Sequence, residues 1–434
     1  MDFHLPKWLP RLSGLSRFAF ICLCVAMVLM VAWVNLDLRG MQARSGGLPF
    51  GVFSLPDGSV LTQDFAYNRL FLKGIQEHVA ANPYRLADQE KIVRHMVPDG
   101  KTGMTHAYSP VAFVLMQPLL AVDGGTAYLL YTSLCAVGIL LLFYFCLLPA
   151  VETPSQLYAL MICSVSICVL AAFTVGQSAL VTTTFIGIFW CLLKRREVDG
   201  SLLNDVALAV LFWAVCLKPS LAIIPGALLL GARAWRPLAV GAVMLLVTWV
   251  SCAGYYGGLV TGLSDYLYLL NHYNNADFTP FLQRGYETEA QKHVTRVLFS
   301  LDRGLITGSC LIFLVLRWTR FITGSEQFQA TVWAFLLISP YLLPSENWIM
   351  CLLVVEGAFF KSRNLVLIVG KLLLLAAVLD LRSGVTSSLA VDSYLKWFLL
   401  AWIVAEWAME RAAVKRGRGV FVPRRSLAVQ LRVS

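Results

Sequence analysis

Apolar residues in this chain come in long runs separated by short polar turns. The runs occupy residues 17–36, 125–148, 156–174, 178–193, 202–217, 219–232, 238–257, 297–317, 328–343, 348–360, 364–381 and 393–411. About 20 apolar helical residues cross a bilayer. Hydrocarbon offers no partner to an open backbone, so such runs must be helical. The pattern predicts an all-α polytopic membrane protein with about 12 transmembrane helices. The alternating ten-residue segments of a β-barrel are missing. Runs 178–193, 219–232 and 348–360 are short, and short helices often border cavities at membrane depth.

Residues 108–121, YSPVAFVLMQPLLA, are apolar but bracketed by Pro110 and Pro118. That leaves about two helical turns, too few to cross, and predicts a re-entrant helix buried against protein. Two longer polar intervals remain. The first covers 37–124 with the re-entrant helix included, the second 258–296. Both mix aromatics with charges and lack linker-like low complexity. They are expected to fold as amphipathic helices on one membrane surface. No internal repeat suggests an inverted-repeat transporter, and residues 1–434 read as a single domain.

Charge fixes an orientation. The short turns holding Lys194, Arg195 and Arg196, then Arg233 and Arg236, Arg317 and Arg320, and Lys361 and Arg363 all carry cations, as does the tail 412–434. With the N-terminus inside, every one of them falls on the cytoplasmic side, as the positive-inside rule requires. Both termini are then cytoplasmic and both long loops face outward. Run 17–36 follows Lys7, Arg11 and Arg17. It lacks a clean small-residue cleavage site and is expected to be a retained anchor. The net charge of +10 is explained by this placement, without a nucleic-acid partner. Composition agrees: 58% of residues are hydrophobic and 14% charged, against about 25% charged in soluble domains. All eleven cysteines lie in or at the ends of apolar runs, without metal-type spacing, and read as small packing residues.

Few residues are left to carry chemistry. Asp64 stands in TQDFAYNRLFLKG, residues 62–74. On a helix it shares a face with Tyr67, Asn68 and Phe71, while Arg69 and Lys73 share another. It reads either as a solvated loop carboxylate or as a general base on a sugar hydroxyl. Lys218, in CLKPS, is a cation among apolar residues. It either holds a phosphate as a point charge or snorkels to headgroups. Gln177, in VGQSAL, is a helix cap or interhelical glue. Glu346 and Asn347 lie between Pro344 and Trp348, where Glu346 either meets an acceptor hydroxyl or tips a hydrated hairpin. His106 and Tyr108 border the re-entrant helix and reach the same outer region. Asp302, Arg303 and the mid-run Lys371 read as interfacial or cavity residues. No phosphate-loop, dinucleotide or zinc motif occurs, so no cofactor or metal is expected.

The segments QDFAYNRLFLKG, NPYRL, AYSPVAFVLMQPL, VGQSAL, LKPSLAIIPGALLL and ISPYLLPSENW occur in an order that resembles glycosyltransferase family 87. This group of polytopic bacterial enzymes belongs to the GT-C superfamily and includes polyprenyl-phosphate-mannose-dependent mannosyltransferases. The resemblance covers roughly residues 55–350. It implies a GT-C-like fold in the bacterial inner membrane, with the active site on the periplasmic face. It implies Asp64 as the catalytic base, a polyprenyl-phosphate sugar as donor, and a lipid or glycan as acceptor. It places Gln177 and Lys218 by the donor phosphate, with inversion at the anomeric carbon. Tyr67, His106, Tyr108, Glu346 and Asn347 are then acceptor or sugar contacts. Two features depart from the pattern: no His accompanies Glu346 and Asn347, and Asp64 has no adjacent second acid. The second departure favours a metal-independent reaction. The rival reading is a transporter or flippase of a lipid-linked sugar, which predicts polar residues spread through the spans. A further rival, a glycan ligase or polymerase, predicts its largest loop late in the chain.

Overall fold

The computed structural model describes residues 12–43, 52–54, 60–96, 108–176, 178–197, 200–272, 305–338 and 348–356, with a few positions between 369 and 405. Helices α1 (Gly14–Ala43), α5 (Gly124–Leu142) and α11 (Trp235–Cys252) form the long members of a bundle. With the turns that continue α5 and α11, the segments Gly14–Asp37, Gly124–Ala150 and Trp235–Tyr255 are long and apolar enough to cross a membrane. Their two faces differ in packing rather than polarity. Along α1, Ala19, Leu23, Met27 and Val34 are buried, while Phe18, Ile21, Val25, Val28 and Leu29 are exposed. A helix that is apolar all round suits a protein core on one side and lipid on the other.

The shorter helices fill the space between them. They are α6 (Pro154–Ser164), α7 (Ile167–Val175), α8 (Ala179–Arg196), α9 (Leu202–Val215) and α10 (Pro219–Gly231). After α11 come α12 (Leu259–His272), α13 (Leu305–Trp318), α14 (Gly324–Ile338) and α15 (Met350–Glu356). The expected run 156–174 is two helices. The chain breaks at Val165, and Ser166 restarts it in an extended conformation, its hydroxyl donating to Cys163 O at 2.9 Å. The runs 202–217 and 219–232 are separate helices of 14 and 13 residues, divided at Lys218 and Pro219. The expected runs 364–381 and 393–411 lie almost wholly outside the described residues. Close packing uses small residues, as is usual between membrane helices. A Cβ on Gly241 of α11 would lie 2.6 Å from the Phe212 ring of α9, and Trp213 Nε1 donates to Thr248 Oγ1 at 2.9 Å.

Among its described residues the first polar interval is helical apart from turns and one pair of short strands. Strands β1 (Val52–Ser54) and β2 (Val60–Thr62) pair antiparallel with Phe53 opposite Leu61, and β2 runs directly into α2 (Gln63–Gln76). Helices α3 (Leu86–Met96) and α4 (Pro110–Leu120) follow. The 11 residues of α4 span about 16 Å, half of a hydrocarbon core of about 30 Å. The amphipathic pattern expected of these helices is seen in α3, whose Ile92 and Val93 face inward while Arg94 is exposed. It fails for α2. Phe65, Ala66, Leu70, Phe71, Leu72 and Ile75 are all buried, and Gly74 lets α2 approach so closely that a Cβ would sit 2.5 Å from Ile92 of α3. The helix is part of the core because α3 and α4 cover the sides that amphipathic placement would leave wet.

Polar side chains tie the two ends of the bundle. At one end the NPYRL segment meets α12: Asn82 Nδ2 donates to Asp265 Oδ2 at 2.6 Å and Arg85 Nε to the same oxygen at 2.7 Å. Asp88 Oδ2 accepts from Asn82 N at 3.2 Å. At the other end the basic turns meet acids. Lys194 pairs with Glu356, Arg196 with Asp205, and Arg317 with Glu197 at 3.0 Å. Ser325 Oγ adds a 2.9 Å bond to Glu356. The ten described cysteines form no disulfide.

Asp265→Ala removes the acceptor shared by Asn82 and Arg85. It is expected to loosen the segment around residues 78–96 by about 1–3 kcal/mol, read as faster amide exchange there with the bundle unchanged. Unaltered protection would show that Asp265 does not hold the segment.

Candidate active site

The site begins with a close approach. Helix α7 ends at Gly176, whose φ of 70° and ψ of 37° are left-handed. Its N–H reaches back to Ala172 O and Phe173 O, satisfying carbonyls that a helix end leaves open. A Cβ at this glycine would lie 2.4 Å from Phe65 Cβ, so the position demands glycine twice over, for conformation and for space. Phe65 is 1% exposed. Its ring stands edge-on to Tyr128 at 5.2 Å and tilted against Tyr131 at 5.0 Å, both on α5. The Tyr128 hydroxyl donates to Phe173 O, with Thr174 O at 3.3 Å. Aromatic edges and a backbone turn thus grip the first turn of α2. Asp64 is the second residue of that helix; for Asp64 and Tyr67 the backbone alone is described.

From Gly176 the contacts continue. Ser178 Oγ and Tyr108 Oη are 3.1 Å apart. Tyr84 Oη donates to Tyr108 O at 3.1 Å. Burial beside Tyr256 and Tyr266 holds the Tyr84 phenol well above its ordinary range, which keeps it a donor. Ser109 is the N-cap of α4 but makes no side-chain cap bond. Its hydroxyl instead donates across the bundle to Cys216 O at 2.6 Å, and Val111 and Ala112 pack against Cys216 and Leu217. Two residues on, Lys218 is the N-cap of α10 with Pro219 at the first helical position. Its N–H donates to Val215 O at 3.0 Å, and its side chain is partly buried.

Four segments distant in sequence therefore meet: the start of α2, the α7–α8 junction, the entry to α4 and the α9–α10 junction. The structure brings together the neighbourhoods of Asp64, Gln177, Tyr108 and Lys218. Gln177, His106, Glu346 and Asn347 themselves lie outside the described residues. Arg69 corrects an expectation. Its place beside Lys73 on the helix does not leave it in water: it is 3% exposed and its Nη2 donates to Val122 O, in the turn before α5. Lys73 is half-exposed and 4.0 Å from Glu77. Reading the sequence missed Phe65 and Ser109 as site builders. Ser before Pro is a helix-start signal, but nothing local says that its hydroxyl crosses to Cys216. Among the described residues no group of three His, Cys, Asp or Glu side chains is placed to hold a metal ion.

The family model of glycosyltransferase family 87 matches residues 106–340, more than half of the 434-residue chain. The chain belongs to glycosyltransferase family 87. It is a membrane glycosyltransferase, using a sugar donor and an acceptor. No curated protein and no solved structure matches it. The matched region holds Tyr108, Gly176 and Lys218 and begins after Asp64. The contact of Phe65 with Gly176, its ring contacts with Tyr128 and Tyr131, and the bond of Arg69 to Val122 O attach the Asp64 segment to the matched part.

Gly176→Ala is expected to cost about 1–2 kcal/mol for the left-handed backbone and a further 1–3 kcal/mol or so for overpacking. Transfer should fall with it as α2 is displaced. The check is a melting midpoint together with an activity assay in detergent; wild-type values for both would remove the close approach as a constraint.

Proposed function

We propose that this glycosyltransferase moves a sugar, mannose first among candidates, from a polyprenyl-phosphate donor to a lipid or glycan acceptor. The reaction takes place on the periplasmic face of the bacterial inner membrane, in a GT-C-like bundle of about twelve crossing helices with both termini cytoplasmic. Asp64 removes the proton of an acceptor hydroxyl. The freed oxygen attacks the anomeric carbon from the face opposite the phosphate. The C–O bond to phosphate breaks, its electron pair leaves with the phosphate, and the configuration inverts. Lys218 balances the charge that grows on the departing phosphate, helped by Gln177. Tyr67, His106, Tyr108, Glu346 and Asn347 contact acceptor or sugar.

The observation that carries this reading is the relay of contacts from Phe65 through Gly176, Ser178, Tyr108 and Ser109 to Cys216. A base and a phosphate-binding cation must sit on opposite sides of one reacting carbon. That relay holds the backbone on which each stands in one rigid unit. The choice of donor class rests on the proposed side of the membrane. The polar loops joined through Asp265 lie at one end of the bundle and the basic turns at the other, and nucleotide sugars are not available outside the cytoplasm.

Asp64→Asn, which keeps the side-chain volume, is expected to lower transfer from polyprenyl-phosphate mannose by about a hundredfold or more with the melting midpoint unchanged. Near wild-type turnover would exclude Asp64 as base. Lys218→Ala should raise the donor KM by about tenfold; an effect confined to acceptor use would contradict its assignment.

A further inference from the structure

One buried hydroxyl beside the site is not accounted for by the fold. Tyr131, seven residues into α5, is 8% exposed and carries its ring against Phe65, the residue after Asp64. Its hydroxyl is buried and makes no hydrogen bond to an oxygen or nitrogen among the described residues. Of the tyrosines nearest it, Tyr128 is satisfied by Phe173 O and Tyr108 by Ser178; Tyr256 and Tyr266, whose hydroxyls also lack a partner among the described residues, pack on Tyr84 rather than on Phe65. Among the described residues, the polar groups within electrostatic reach of Tyr131 are Cys135, Tyr108 and Tyr128. Cys135, one turn along the helix, meets the hydroxyl with its thiol, a weak partner that leaves most of the hydroxyl's bonding capacity unmet.

A phenylalanine would fill the same space without leaving a donor unmet. A buried polar group that lacks a partner calls for an explanation outside the resting contacts. Here the group lies between Phe65, which positions the proposed base, and Tyr108, which links the two halves of the relay. An aromatic wall with one hydroxyl donor and acceptor suits a pyranose, whose ring presents apolar C–H faces and equatorial hydroxyls.

We propose that the Tyr131 hydroxyl is a substrate-contacting group that hydrogen-bonds one hydroxyl of the transferred sugar and so sets which sugar is accepted. The inference rests on the glycosyl-transfer site proposed at Asp64. The hydroxyl is covered in this structure, so the sugar meets it after a side-chain rotation of the kind that binding commonly brings. A site built to hydrogen-bond a substrate hydroxyl rejects the analogue that lacks it, because its own polar group is then stranded.

The experiment compares wild type with Tyr131→Phe on polyprenyl-phosphate mannose and on a panel of its monodeoxy analogues. GDP-mannose is run in parallel. Wild type should discriminate against one deoxy analogue by about tenfold or more. Tyr131→Phe should lose that discrimination, raise the donor KM for the parent sugar by a similar factor, leave the acceptor KM unchanged, and melt no lower than wild type. A lower melting midpoint with discrimination intact would make Tyr131 structural, and unchanged kinetics would overturn the inference. If wild type transfers only from GDP-mannose, the lipid-linked donor fails, and the same comparison on deoxy GDP-mannoses then decides the role of Tyr131.

Discussion

At Gly176 the chain turns left-handed against the side chain of Phe65, with no room for a single added carbon. The rest of the site hangs on that contact. Phe65 holds the first turn of α2, and with it the backbone of Asp64, against α5 and α7. Ser178, two residues past the glycine, passes the position on to Tyr108. Ser109 then passes it to the turn that carries Lys218. The steps are short contacts, one between two hydroxyls and the others to backbone or to a buried aromatic side chain, so there is little slack between one end and the other. Geometry of this kind suits a displacement in which acceptor, sugar and phosphate must lie in line.

Polarity is handled differently at the two ends of the bundle. Where the basic turns gather, charge meets charge: Glu356 is 9% exposed and paired with Lys194, and Asp205, 4% exposed, with Arg196. These pairs close helix ends that would otherwise carry buried, uncompensated ions. Around the site, hydroxyls bond to main-chain carbonyls instead, as at Tyr128, Tyr84 and Ser109. Buried Arg69 follows the same habit by donating to Val122 O. Carbonyl partners fix position without neutralising charge, which leaves the local field to be set by the substrate and the ionised residues that face it.

Much of this was legible in the sequence. Apolar runs located most helices, because in lipid every backbone group must be satisfied within the segment. Prolines 110 and 118 marked the short α4, and Pro219 marked the start of α10. The order of polar segments pointed to the family. What escaped was tertiary. Run 156–174 looked continuous because hydropathy is blind to the break at Val165 and Ser166, where a side-chain bond to Cys163 restarts the helix. Helix α2 looked like a surface helix because its sequence contains Arg69 and Lys73, and periodicity does not reveal that α3 and α4 close over it. Phe65 looked like any apolar residue; its importance comes from a glycine more than a hundred positions away.

The relay also has a consequence for how the protein is made. Phe65 waits for Gly176, and Ser109 waits for Cys216, 107 residues later. Neither contact can form while the later partner is still inside the ribosome. The faces of α2 and α4 that meet α7 and α9 therefore stay without those partners while α5 to α9 are made. The contacts that join the candidate site close only once residues 176 and 216 have been made. Its assembly is paced by translation and insertion rather than by local folding, as expected where the decisive contacts are distant along the chain.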